Sequence, residues 1–184
     1  MVHLHPVILY TQIIETPIGS MFAAVNEEGI YIFDYLERKG GLAKIQDRVA
    51  KKWSAIYVQK KHPQHEALEQ QLQGYFKQER QSFDLPLHLS GTEFQQQVFQ
   101  SLQAIPYGKT ISYQQLSLQM NRPQATRAIA KANGENCLAI LIPCHRVIAS
   151  TGLLTGYSGG IEVKKWLLDF EQGRPNMPLQ PSLF

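Results

Sequence analysis

Two capping boxes and a proline punctuate residues 91–134 and leave that stretch few ways to fold. In Thr92-Glu93-Phe94-Gln95 the Thr and Gln side chains can each satisfy the other's backbone N–H at a helix start. Phe94, Val98 and Leu102 follow four residues apart, which predicts a helix that Ile105-Pro106-Tyr107-Gly108-Lys109 brings to an end. Ser112-Tyr113-Gln114-Gln115 is the second box and opens a helix through about Met120. After Asn121-Arg122, Pro123 suits the first turn of another helix running through Ala132. Two short helices joined by a tight turn have the outline of a helix-turn-helix. The second is built mostly from small residues, with Arg127 and Lys131 spaced i,i+4. Such a helix can bring its backbone close to DNA or pack into a core, and its spacing alone does not choose.

Residues 1–90 follow a different pattern. Val7–Glu15, Met21–Val25 and Ile30–Leu36 are β-rich, separated by the turn signals Thr16-Pro17-Ile18-Gly19 and Asn26-Glu27-Glu28-Gly29, so a small antiparallel meander is expected. Leu68, Leu72, Tyr75 and Phe76 have helical spacing within Gln64–Gln78. Pro86 disfavours helix in Asp84–Ser90, which is expected to be an extended connector. The fold class is therefore α+β. A small N-terminal domain, residues 1–88, has an antiparallel sheet and a helix. It joins a mainly helical C-terminal domain, residues 89–184, that contains the helix-turn-helix.

The net charge is +3, and all of the excess lies in the second half. Residues 1–90 hold ten Lys/Arg and ten Asp/Glu, whereas residues 91–184 hold eight against five. That distribution is compatible with a polyanionic partner. No apolar stretch approaches the roughly 20 residues of a membrane span, and Met1–Pro6 lacks the form of a secretory signal, so no membrane partner is expected.

Cys137 and Cys144 are the only cysteines, which excludes a disulfide framework and a four-cysteine metal site and fits a reducing cytoplasm. No metal or organic cofactor is expected; His3 and His5 are better read as part of a frayed terminus than as a metal pair. Cys144 stands beside His145 at the end of the apolar run Ala139-Ile140-Leu141-Ile142. A thiol reacts as its thiolate, which a nearby imidazole can generate. Consecutive strand residues point to opposite faces, so Cys144 must lie where any strand breaks. Gly152, Gly156, Gly159 and Gly160 follow and predict a shaped loop of the kind that walls a ligand site. Val163–Glu171 reads as a helix burying Trp166, Leu167 and Phe170.

Six motifs occur together in one order: Phe94-Gln-x-x-Val98, Ile105-Pro106-Tyr107-Gly108-Lys109-Thr110, Arg127-Ala128-Ile129, Asn133-Gly134-x-Asn136, Ile142-Pro143-Cys144-His145-Arg146-Val147-Ile148 and Tyr157-Ser158-Gly159-Gly160. In these the chain resembles the O6-alkylguanine-DNA alkyltransferases, specifically over about residues 91–171 and more weakly over residues 1–90. The resemblance implies direct DNA repair: an alkylated guanine is flipped from the duplex and its O6-alkyl group moves irreversibly to the protein's own cysteine. By position, Cys144 matches the acceptor, His145 the base that acts through a water, and Glu171 the carboxylate that orients it. Asn136 matches a brace for the turns around the cysteine. Tyr113 matches the phenol that protonates the departing guanine. Arg127 matches the residue that fills the vacated stack, with Tyr113, Ala128 and Lys131 beside it on the DNA-facing side. Pro143, Val147, Tyr157, Ser158 and Gly159 match the substrate pocket. The family enters the minor groove, and a monomer acting on alkylated duplex DNA is implied. Two departures stand out. Cys137 replaces a proline common in relatives and is expected to be buried and unreactive, and Ala130 replaces a glycine on the DNA side. A non-catalytic DNA-binding module and a cysteine hydrolase are the rivals. The intact Cys144, His145 and Glu171 oppose the first, and adjacent Cys-His geometry opposes the second.

Overall fold

The computed structural model describes residues 6–175, so His3 and His5 lie outside the described residues. The chain divides into two compact units, Met1–Ser90 and Gly91–Phe184.

In the first unit, strands β1 (Ile8–Thr16), β2 (Gly19–Asn26) and β3 (Gly29–Tyr35) form the expected antiparallel meander. Both hairpins have two-residue loops closed by local side-chain bonds. Thr16 Oγ1 donates to Gly19 O at 2.7 Å, and Asn26 Oδ1 accepts from the Glu28 N–H at 2.9 Å. The sequence pattern does not signal helix α1 (Leu42–Trp53), which leads to a fourth strand, β4 (Ile56–Gln59), lying parallel to β1. The sheet order is β3-β2-β1-β4. Strand β4 is a short edge strand whose Ile56 and Val58 are exposed, so it lacks the buried alternation by which a strand is recognised. Helix α2 (Pro63–Phe76) buries Leu68, Leu72 and Tyr75 at the expected spacing.

The connector is extended, as Pro86 suggests, and it is bonded to β3. The Ile30 N–H donates to Pro86 O and the His88 N–H to Ile30 O, each at 2.9 Å. Gly29 is required at this crossing. Its φ is +141°, and a Cβ there would lie 2.3 Å from Pro86 O.

In the second unit both capping boxes form as expected. Thr92 and Gln95 open α3 (Glu93–Gln103), and Ser112 and Gln115 open α4 (Tyr113–Gln119), with the four bonds between 2.7 and 3.3 Å. The turn after α4 places Asn121 at φ 55°. The last helix of the helix-turn-helix starts later than predicted: Pro123–Ala125 form a 3₁₀ turn, and α5 spans Thr126–Gly134. Thr126 Oγ1 donates to Ser117 Oγ of α4 at 3.2 Å, which fixes the two helices at the point where α5 begins. Arg122, in the turn, donates to Gln97 Oε1 at 3.1 Å and lies over the Phe94 ring, tying the motif to α3. Two-residue strands β5 (Ile111–Ser112) and β6 (Val147–Ile148) pair in parallel, and α6 (Ile161–Glu171) closes the unit.

The Gly29→Ala variant should lose about 1–3 kcal/mol of stability, because it adds a side chain at positive φ against backbone that cannot withdraw. Urea denaturation measures this directly, and unchanged stability would show that the connector is not held against β3.

Candidate active site

Glu171, the last residue of α6, accepts four hydrogen bonds in the interior of the second unit. Its Oε1 accepts from His145 Nε2 at 2.8 Å and Arg146 Nη2 at 2.9 Å. Its Oε2 accepts from Arg146 Nε at 2.9 Å and the Gly108 N–H at 3.1 Å. The side chains of Glu171 and His145 are fully buried and that of Arg146 nearly so. Burial alone would raise the Glu171 carboxyl. The hydrogen bonds from His145 and Arg146, with the Arg146 charge, outweigh it and hold the group well below the usual carboxylate range. Gly108 sits at φ +70°, and a Cβ there would come within 2.8 Å of Glu171 O, so this close approach needs glycine.

The same carboxylate decides the state of the imidazole. A carboxylate only accepts, so His145 Nε2 carries the proton toward Glu171. Nδ1 is buried and has no protein hydrogen-bond partner. Burial pushes the His145 pKa below its ordinary value; the bond and charge of Glu171 oppose this, while Arg146 and Lys164 reinforce it. The neutral ring therefore presents a buried lone pair at Nδ1. Tyr157 meets the ring edge-on, with centroids 6.4 Å apart.

Cys144 begins a 3₁₀ turn, Cys144–Arg146, immediately before β6, so the chain does break at the cysteine. The apolar run before it is a tight turn and not a strand. Ile140 is 2% exposed and holds φ 69°, a conformation that β-branched residues rarely adopt. Asn136 sustains that turn: its Oδ1 accepts from the Leu138 N–H, and its Nδ2 donates to Ile142 O, both at 3.0 Å. Nδ2 also lies 3.1 Å from Cys144 Sγ, an amide donor aimed at the sulfur.

Of the three residues expected on the inward face of α6, Leu167 is buried and Trp166 and Phe170 are not. Lys164, Leu167, Leu168 and Glu171 are buried, at i, i+3, i+4 and i+7, while Trp166 and Phe170 stack on each other half-exposed. The aromatic residues suggest the wrong stripe because two charged residues occupy the true one. Lys164 Nζ donates to Val147 O at 2.7 Å and Thr155 O at 2.8 Å, joining β6 to the glycine-rich loop. Burial lowers its pKa to about 8, and negative charge on Cys144 opposes that shift. An ammonium here and a thiolate at Cys144 therefore stabilise each other. The sequence pattern assigns no role to Lys164 or Arg146; the helical spacing of Lys164 with Leu167, Leu168 and Glu171 is the available signal for the first.

Tyr113 is half-buried at the first position of α4, and its hydroxyl accepts from Asn133 Nδ2 of α5 at 3.3 Å. Burial and the charge of Cys144 raise its pKa, against hydrogen bonds from Thr155 and Asn133. Pro143 and Val147 are buried; Ser158 and Gly159 are half-buried in a loop whose Gly152, Gly156 and Gly160 take positive φ. Arg127, Ala128 and Lys131 are exposed together on α5, opposite its buried Ile129 and Ala132, and Ala130 is half-buried. Cys137 is buried, 2% exposed. Among the described residues no group of three or more His, Cys, Asp and Glu could hold a metal ion, and no helix is long and apolar enough to cross a membrane.

Comparison with known proteins gives concordant matches. The sequence family described as 6-O-methylguanine DNA methyltransferase, DNA binding domain, matches residues 93–173. A methylated-DNA–protein-cysteine methyltransferase of Methanosarcina barkeri is 40% identical over 164 residues, covering 89% of this chain and 98% of the relative. One from Mycobacterium tuberculosis is 51% identical over 114 residues, covering 62% and 68%. The crystal structure of Mycobacterium tuberculosis OGT in complex with DNA superposes with a TM-score of 0.75 at 38% identity, over 91% of this chain and 94% of that one.

Arg146→Ala should destabilise the second unit by about 3–5 kcal/mol, the cost of stripping a buried carboxylate of its charged partner. Thermal or urea denaturation reads this out, and a loss under about 1 kcal/mol, the range of an exposed pair, would mean that Glu171 does not depend on Arg146.

Proposed function

The chain belongs to the methylated-DNA–protein-cysteine methyltransferases, and from that premise we propose that Cys144 takes the alkyl group of O6-alkylguanine in duplex DNA. The protein is thus a DNA-repair alkyltransferase, and the carboxylate-fixed imidazole next to the cysteine is the observation that carries the site assignment.

The chemistry follows from the groups in place. His145 Nδ1, through a water, draws the proton from Cys144, while Glu171 holds the ring by its Nε2–H and stabilises the imidazolium that results. Asn136 Nδ2 and the Lys164 ammonium favour negative charge at the sulfur. The thiolate attacks the saturated alkyl carbon, a C–S bond forms, and the bond from that carbon to O6 breaks. Electrons pass into the purine, which takes the Tyr113 hydroxyl proton and departs as neutral guanine. The proton taken from the thiol by His145 is released and the tyrosinate is reprotonated from solvent, so the balance closes. The raised pKa of Tyr113 means only that the phenol is protonated until the purine draws on it. The thioether has no good leaving group, so each protein molecule reacts once.

Pro143, Val147, Tyr157, Ser158 and Gly159 form the pocket for the flipped base in this reading. Arg127 fills the space the base leaves, and Ala128 and Lys131 lie against the duplex in the minor groove. The exposure of these three residues on the small-residue face of α5 supports that role. The protein acts as a monomer and works wherever the cell's DNA lies, in a reducing compartment.

Intact-protein mass spectrometry after incubation with a duplex bearing one O6-methylguanine tests the assignment. One methylene unit should be gained, mapping to Cys144 and saturating at one per protein, and Cys144→Ala should gain none. Binding without a mass gain would leave only a lesion-recognition protein, and a gain at Cys137 would keep the function but overturn the site. In parallel, Arg127→Ala should slow repair of duplex DNA about tenfold or more, while a transfer rate equal to the parent's would remove Arg127 from the mechanism.

A further inference from the structure

The first unit segregates its charge along the sequence, and only part of it is used within the fold, where Arg38 pairs with Asp34 of β3 and Lys61 with Glu66 of α2. Residues 37–61 hold eight lysines and arginines against two acids, whereas the remainder of residues 1–90 hold two against eight. The excess centres on α1. Lys44, Arg48 and Lys51 recur at i, i+4 and i+7, so they share one face, while Ile45 and Val49 on the other side are buried. Lys44 and Lys51 are exposed, as is Lys39 just before the helix, and Arg48 is half-buried. The one acid within the helix, Asp47, meets Lys51 at 2.7 Å, with their side chains 60% and 76% exposed. A pair that exposed contributes little and gives way readily to another anion.

Ordinary surface solvation accounts poorly for this face. Lys51 and Lys52 in the last turn complement the helix dipole, but Lys44 is the third residue of a first turn that has no acid. A cation there opposes the dipole, so helix stability does not explain it.

We propose that the exposed lysines of α1, Lys44 and Lys51, with Lys39 just before the helix, form a second, lesion-independent binding face for DNA backbone phosphates. The proposal rests on the repair reading above, which supplies the polyanion. Lysines bind phosphate by charge without reading sequence, which suits a protein that must remain on undamaged duplex while it searches. A membrane surface fits less well, because an interfacial helix inserts its apolar side, and here that side is already covered, with Ile45 4% and Val49 0% exposed.

The test compares the parent with the triple variant K39Q/K44Q/K51Q, which leaves the half-buried Arg48 in place, in binding to unmodified duplex across a range of salt. Every phosphate that the variant fails to neutralise flattens the slope of log affinity against log salt by about 0.9, so a slope shallower by about 2–3 is expected, with affinity at low salt at least about tenfold weaker. The single-turnover transfer rate at saturating O6-methylguanine duplex should be unchanged, and Lys77→Gln should leave the slope as it is. A triple variant with the parent's slope overturns the proposal. So does an unchanged slope accompanied by abolished binding to anionic phospholipid vesicles, which would assign the face to membranes. Absence of methyl transfer by the parent would count against the repair reading instead, a result separate from the salt slope.

Discussion

The second unit is organised around the carboxylate of Glu171, which is buried at the C-terminal end of α6, where the helix dipole disfavours negative charge. It is kept ionised by compensation from three directions: the Arg146 guanidinium, the His145 ring and the Gly108 N–H. A buried ion pair of this kind is weak evidence for stability by itself. Its consequence is geometric. By accepting from Nε2, Glu171 turns an adjacent Cys-His pair, poor geometry for a direct ion pair, into one in which the other ring nitrogen is fixed and unprotonated. By accepting from Gly108, it ties the turn after α3 to the end of α6.

The cysteine depends on a second local constraint. The backbone before it is bent through Ile140 at positive φ, and Asn136 holds that bend by bonding to the chain on either side of it. The same amide reaches the sulfur, so the group that fixes the turn also contributes to the charge environment of Cys144. Lys164 repeats this economy, holding Val147 and Thr155 by their carbonyls while its charge favours the thiolate.

What the sequence reveals and conceals follows from the range of the interactions. Capping boxes are local, and both appear in the structure at the residues that spell them. The meander is likewise legible from two-residue turns. The parallel strand β4 is not, because its pairing with β1 is set by a crossover and not by alternation along four residues. In the site, Cys144 and His145 are adjacent and visible, but Glu171 read in isolation is a surface carboxylate near a helix end. Only the motif pattern shared with the alkyltransferases points inward. Arg146 and Lys164 stay hidden because burying a cation depends on partners distant in sequence, Glu171 and Ile105 O for one and Val147 O and Thr155 O for the other. The aromatic pair Trp166 and Phe170 misleads because apolar character is not the same as burial.

The central claim is that Glu171 holds His145 as a neutral ring protonated at Nε2, with Nδ1 able to take the thiol proton. Nitrogen NMR of the ¹⁵N-labelled His145 ring at neutral pH tests it most directly, with Glu171→Gln as the reference for removal of the carboxylate. A proton-bearing shift at Nε2 and an unprotonated shift at Nδ1, persisting below the ordinary histidine pKa of about 6.5, is the predicted result. A proton on Nδ1, or a ring already doubly protonated at neutral pH, would contradict the account and remove His145 as the base.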